Sequence, residues 1–296
     1  MINKTKSHIE TKIKNGEALT KVEADLLDLI EFNSLSEAKR QDLSKRLSKL
    51  TLLSDGQVNP KTVKTLAGFE FENYILHLTP SNLSGVNLCP AASSGCRAAC
   101  LNTAGRGRFD QTQFARLRKT LFFRYFRSQF LNQLNHEIGA AYRKGRAAKI
   151  KTVIRLNGTS DLPFELLKVH DDKSLMELHP NVIFYDYTKI FSRMQRLKLK
   201  PIKNYSLTFS FSESNESESL KALSLGFNVV RVFDSIPEIF KDVEVLNGDL
   251  HDFRFLDKTA SQGFWIGLKA KGPAKRDASG FVTRLETDAK PKRKAA

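Results

Sequence analysis

Seven short apolar runs, at 74–78, 152–156, 182–185, 206–211, 228–233, 243–246 and 264–269, alternate with helix-compatible stretches from residue 74 onward. The runs are too short for buried helices, and their Val, Ile and Phe content suits strands covered on both faces. A strand that is followed by a helix, again and again, brings successive strands into one parallel sheet. Six or seven repeats are enough to curl that sheet. The expected fold is therefore α/β: a complete or partial (β/α) TIM-like barrel, with an open wound sheet as the alternative. No G-x-G-x-x-G follows a strand, which counts against a dinucleotide-binding sheet.

The clearest helix signal between the runs lies at 111–143, where Phe114, Leu117, Leu121, Leu131, Leu134 and Ile138 share one side. Further helices are expected at 164–177, 189–199 and 216–225. Before the alternation begins, Leu19, Val22, Leu26, Leu27 and Ile30 mark one amphipathic helix. Leu43, Leu47, Leu50 and Leu53 mark a second, and Ser34 and Ser36 between the two are cap residues. The chain thus divides into a helical N-terminal extension (1–68), a barrel-like domain (69–284) and a basic tail (285–296) that ends in Lys290-Pro291-Lys292-Arg293-Lys294.

No stretch of about 18 apolar residues is present, so no transmembrane helix is expected. The polar N-terminus lacks an apolar signal core, which points to a cytoplasmic location. Lys and Arg exceed Asp and Glu by 48 to 32, and a formal charge of +16 draws polyanions. Nucleic acid is one partner class this allows. The plain alternative is a positive surface that keeps the protein dispersed, since no nucleic-acid motif accompanies the charge.

All three cysteines fall in Leu88-Cys89-Pro90-Ala91-Ala92-Ser93-Ser94-Gly95-Cys96-Arg97-Ala98-Ala99-Cys100, a C-x6-C-x3-C spacing. Three thiols so close together, and none elsewhere, argue against a disulfide framework and for a bound metal. The separation of Cys96 from Cys100 places them on one face of a helical turn. Small residues between Cys89 and Cys96 let the loop fold back, and Arg97, Arg106 and Arg108 favour thiolates. Three cysteines suit a [4Fe–4S] cluster with one iron left open for a small-molecule ligand. Structural zinc, with a distant fourth ligand such as His77 or His251, is the alternative. Metal-free cysteines, buried or redox-reactive, are the third reading.

The loop follows the first strand of the alternation, on the face where barrel enzymes carry their sites. In that arrangement it is similar to radical S-adenosylmethionine enzymes, whose three-cysteine loop also follows the first strand. Their usual spacing is C-x3-C-x2-C, and Leu156-Asn157-Gly158-Thr159 stands here where they carry Gly-Gly-Glu. S-adenosylmethionine binding is therefore not assigned. The chain also resembles the gene product 88 family of phage and prophage proteins. The matching stretches are 87–100, Asn102-Thr103-Ala104-Gly105-Arg106-Gly107, Arg155-Leu156-Asn157-Gly158-Thr159-Ser160-Asp161, Gly248-Asp249-Leu250-His251-Asp252 and Gly267-Leu268-Lys269-Ala270-Lys271-Gly272. The resemblance implies a viral origin, hence the cytoplasm of an infected host cell, and a three-cysteine metal loop. It implies no reaction.

In a barrel, polar residues just past each strand gather at one mouth. Asn157, Asp161, Asp186, Lys189, Asp249, Asp252, Lys269 and Lys271 are the candidate pocket residues on that reasoning, and Ser212, Glu213 and Asp234 share the position with helix capping as their plain alternative. Each has a plain alternative: Asp161 as a helix cap, Asp186 in a salt bridge with Lys189, Asp249 and Asp252 in a polar turn, the two late lysines in a solvated loop. Three functions stand side by side: a cluster-dependent enzyme, a non-enzymatic iron–sulfur protein binding nucleic acid or a host protein, and a zinc-stapled protein.

Overall fold

A computed structural model describes residues 1–56 and 71–285. The expected boundary at 68–69 and the basic tail beyond Leu285 lie outside the described residues.

All seven expected strands form, and three short ones join them. In chain order they are β1 (Leu53–Asp55), β2 (Phe71–Leu76), β3 (Lys151–Arg155), β4 (Ile183–Thr188), β5 (Tyr205–Ser210), β6 (Val229–Phe233), β7 (Ile239–Phe240), β8 (Val243–Asn247), β9 (Trp265–Lys269) and β10 (Val282–Thr283). One sheet runs in the order β1-β2-β3-β4-β5-β6-β9-β8-β7, and β10 extends β6. Strands β2 to β6, β9 and β8 are mutually parallel, while β1 and β7 pair antiparallel at the two ends. This is a mixed α/β fold with a mostly parallel sheet. The short strands escape sequence reading because two or three residues show no alternation. β7 and β8 form a hairpin whose two turn residues, Lys241 and Asp242, both take positive φ (49° and 60°). That backbone matches the twist of the flanking strands.

Alternation along the strands sorts side chains onto two faces. Ile154, Phe184, Leu207, Phe209, Val229 and Trp265 belong to the main core under the helices. Each fully buried Phe or Leu there contributes about 1.5–3 kcal/mol. On the opposite face, Val153 and Tyr185 form a second cluster with Phe253. Phe253, in the loop after β8, meets Phe71 of β2 edge-on at 5.1 Å, so that loop and β2 share one aromatic cluster.

The helices are α1 (Ile2–Lys14), α2 (Lys21–Ile30), α3 (Glu37–Leu47), α4 (Ser94–Ala98), α5 (Asp110–Tyr125), α6 (Arg127–Ala148), α7 (Leu175–Leu178), α8 (Phe191–Leu199) and α9 (Glu216–Ser224). The two expected N-terminal helices are present as α2 and α3, but the second ends at Leu47, so Leu50 lies beyond it and Leu53 opens β1 instead. Thr20 starts the first with a reciprocal capping box to Glu23, and Ser36 caps the second. α1 was not expected, because its lysines mask the apolar side on which Ile9 is fully buried.

The single helix expected at 111–143 is two. Phe126 leaves the helical region (φ −130°, ψ 50°) and turns its ring edge-on to Phe32 at 5.3 Å. The break lets α5 pack on α2 while α6 packs on β3. The helix expected at 164–177 is only a 3-10 turn (Phe164–Leu166) and the short α7. Asp171 and Asp172 stop it by taking positive φ in a tight turn that bridges His170 and Lys173.

Candidate functional site

The segment after β2 lies against the ends of β3 and β5. Leu88 accepts a bond from the Asp161 N–H (2.8 Å), and the Cys89 sulfur sits 3.8 Å from the Thr159 carbonyl. Ser93 caps α4 by accepting from the Cys96 N–H (3.1 Å). Glu213, just past β5, holds the same turn from across the sheet. Its carboxylate accepts from the Ser93 hydroxyl (2.7 Å), the Ser94 hydroxyl (3.3 Å) and the Gly95 N–H (2.7 Å). These bonds hold the Glu213 carboxyl below its usual range although burial opposes them. Gly95 is buried beneath residues 279–281: a Cβ there would lie 2.1 Å from Ser279 Oγ and 2.7 Å from Phe281 Cβ. Its lack of a side chain thus serves close packing of α4.

The expected shared helical face for Cys96 and Cys100 does not form. α4 ends at Ala98, and Cys100 is extended (φ −58°, ψ 130°) at the start of the next turn. Two of the sulfurs accept backbone N–H groups: Cys89 from Ser81 (3.3 Å) and Cys100 from Asn102 (3.5 Å). Burial pushes the Cys89 thiol up to about 12 against the opposing Ser81 N–H, and the charges of Asp161, Cys100 and Cys96 add to the rise. Cys100 is also raised by burial, with Arg116 and Lys189 acting in the other direction. Two of the three expected thiolate-favouring arginines, Arg97 and Arg108, are engaged elsewhere. Arg97 donates to the Ala92 carbonyl (2.5 Å), and Arg108 lies over the Phe109 ring.

As a donor set, the loop fits an iron–sulfur cluster: three thiols, N–H support on two sulfurs, and cationic groups nearby. Its geometry is open. Among the described residues no three His, Cys, Asp or Glu side chains are gathered tightly enough to cage a metal ion. Binding would have to draw the three sulfurs together.

The candidate pocket residues separate into two groups and a single. Asn157 donates to Asp186 twice, from its N–H (2.7 Å) and from Nδ2 (3.1 Å). Asp161 accepts from the Lys189 N–H (2.8 Å) and from Arg193 (2.6 Å). Lys189 does not pair with Asp186, and its ammonium reaches Ser210 Oγ (2.6 Å) and the Phe211 carbonyl (3.1 Å) instead. Asp186 lies on the buried helix-facing side, where burial pushes its carboxyl up to about 7. Asp249 pairs with Lys271 (2.6 Å) and accepts from the Lys269 N–H (3.2 Å), well separated in sequence from the first group. Asp252 belongs to neither group, and its charge acts on Arg155.

Arg193 and Arg155, which were not expected, and Glu213, whose plain alternative was a helix cap, matter more. Arg193 is fully buried and binds Glu165 through two nitrogens (2.9 and 2.8 Å), with Asp161 and the Tyr205 hydroxyl (2.9 Å) completing its shell. Sequence reading took it for part of an amphipathic helix face. Glu213 looked like a helix cap. Arg155 ends β3 on the face opposite the main core, with its guanidinium 4.6 Å from the Tyr187 ring centroid and 5.9 Å from that of Tyr185. The one available signal for it was a charge that closes the apolar run Thr152-Val153-Ile154.

Several basic and aromatic side chains of 114–127 are used in packing. Arg118 pairs with Asp25 (3.0 Å), Lys119 donates to the Leu52 carbonyl (2.7 Å), and Phe122 and Phe123 are buried. No helix among the described residues is long and apolar enough to cross a membrane.

A family model described as gene product 88 matches residues 49–285, a span that begins just before β1 and contains every strand and the cysteine loop. Comparison with curated proteins gave no match, and neither did comparison with solved structures.

Proposed function

The chain belongs to the gene product 88 family, and from that premise we propose that it is a phage-type iron–sulfur protein. Cys89, Cys96 and Cys100 hold a [4Fe–4S] cluster on the C-terminal edge of a partial (β/α) barrel. The Phe71–Phe253 contact between β2 and the loop after β8 supports the barrel reading. One observation carries the cluster reading. The only three thiols of the chain lie in one segment pinned by Glu213 and Asp161, and two of them already accept backbone N–H groups.

A cluster with one uncoordinated iron supplies one-electron chemistry and an open Lewis-acid position for a small molecule. The protein's own contribution is support. The N–H groups of Ser81 and Asn102 stabilise sulfur anions, and Arg116 and Lys189 offset their charge. Because burial keeps Cys89 and Cys100 protonated, loading must release protons and should strengthen as pH rises.

Oxygen-free purification with iron and sulfide assays and a visible spectrum tests the reading. Brown protein that loses colour when the three cysteines become alanine supports it. Colourless oxygen-free material without iron refutes it, and one zinc per chain would favour a zinc staple instead. A second reading, a polyanion partner such as nucleic acid, is favoured by the +16 charge. Binding that falls steeply with added salt would support it, and no binding at low salt would remove it.

A further inference from the structure

The buried arginines of this fold differ sharply in how they are satisfied. Arg193 has four bonds to Asp161, Glu165 and Tyr205. Arg231 reaches Thr283 (2.5 Å) and Glu216 (3.2 Å) and lies 3.6 Å from the Phe211 ring centroid. Arg254 donates to the Gly248 and His251 carbonyls through one nitrogen and faces Asp257 at 3.3 Å, although its Nε and Nη1 are buried without a hydrogen-bond partner.

Arg155 has no such shell. Its Nε is buried without a hydrogen-bond partner. Among the described residues no hydrogen bond or ion pair reaches its guanidinium, which rests only on the rings of Tyr187 and Tyr185. The side chain is half-buried, so water and small solutes can reach the outer nitrogens. A guanidinium that is partly desolvated, seated over aromatic rings and left without an ion pair is held ready for an acceptor.

The surroundings favour one kind of acceptor. The planar guanidinium fork suits two parallel N–H···O bonds to a carboxylate or phosphate. Arg155 occupies the last position of β3, paired in register with Ile75, on the face opposite the main core at the C-terminal end of the sheet. His77, the next position on that face beyond Ile75, has a buried Nδ1 without a hydrogen-bond partner. Arg155 and Arg116 help burial to hold that imidazole neutral, at about 3. Asp252 and Asp186 are the acidic groups whose charges act on Arg155, and among the described residues neither forms an ion pair with it.

We propose that the face of the sheet opposite the main core binds a small anion, a carboxylate or phosphate group, through Arg155 seated over Tyr187. The site does not depend on the cluster, so its test is run on metal-free full-length protein. Calorimetric titration with inorganic phosphate and, separately, with acetate should show saturable binding of one of them, and the one that binds identifies the source chemistry. Arg155→Gln should weaken it by at least about tenfold. Arg155→Lys keeps the charge without the planar fork and should weaken it less. Asp252→Asn, by removing one acidic charge, should tighten it. Should the glutamine variant not fold, the lysine and Asp252 variants carry the comparison. No binding of either anion to the wild type overturns the proposal, as do folded Arg155 variants that bind like it. Anion binding by a colourless protein would leave this site standing and the cluster reading refuted.

Discussion

Arg193 is the residue whose loss should be felt most strongly. It is fully buried, and its side chain neutralises Glu165 and Asp161, which are themselves 4% and 11% exposed. Substituting Met removes the cation while leaving two carboxylates stranded in a low-dielectric interior. Stranding a buried ion-pair partner costs about 3–5 kcal/mol. For a chain of this size, with about 2 °C lost per kcal/mol, the midpoint should fall by roughly 6–10 °C. Urea unfolding followed by circular dichroism, together with a thermal scan, measures both quantities. The double variant Arg193→Met with Glu165→Leu provides the internal control. It removes one of the stranded charges and should recover at least about 1 kcal/mol of the single-variant loss. The reasoning is refuted if Arg193→Met costs less than about 1 kcal/mol, or if the double variant is less stable by the full sum of its parts.

Glu213→Ala should cost about 1–3 kcal/mol, because it frees the Ser93 and Ser94 hydroxyls and the Gly95 N–H. Amide exchange across 93–98 should quicken, and unchanged exchange there would contradict the tie. Asp186 should titrate near 7 in a carboxyl-carbon experiment, since burial raises it from 3.8. Its folded value lies above the unfolded one, so the stability it contributes is complete below about 4 and is lost as pH rises through about 7. A titration near 4 would show the carboxylate to be hydrated. Gly158→Ala places a Cβ 2.5 Å from His77 Nδ1 and 2.7 Å from Ile75 Cγ2. It should destabilise by about 1–3 kcal/mol, and a neutral result would mean that the His77 ring moves aside at little cost.

The seven main strands, the two capped N-terminal helices and the core residues of 111–143 were legible because each rests on local periodicity. The misplaced elements share a different cause. Phe126 breaks a continuous apolar pattern to meet Phe32, nearly a hundred positions earlier, and no local signal marks such a partner. The 164–177 helix failed on two aspartates that prefer a left-handed turn, a choice that composition permits but does not require.

The candidate site divides along the same line. Sequence alone identified the cysteine segment, its place after a strand, and the polar residues beyond the other strands, since spacing and chain order carry that information. Which of those groups meet is a matter of long-range packing. Glu213 reaches Ser93, Ser94 and Gly95 across some 120 positions, and Asp161 is taken by Arg193 rather than by a helix end. Periodicity shows which side of an element is buried, and it is silent on what stands opposite. Only the folded sheet brings strand ends side by side, so only the tertiary structure decided that Arg193 is satisfied and Arg155 is left unpaired.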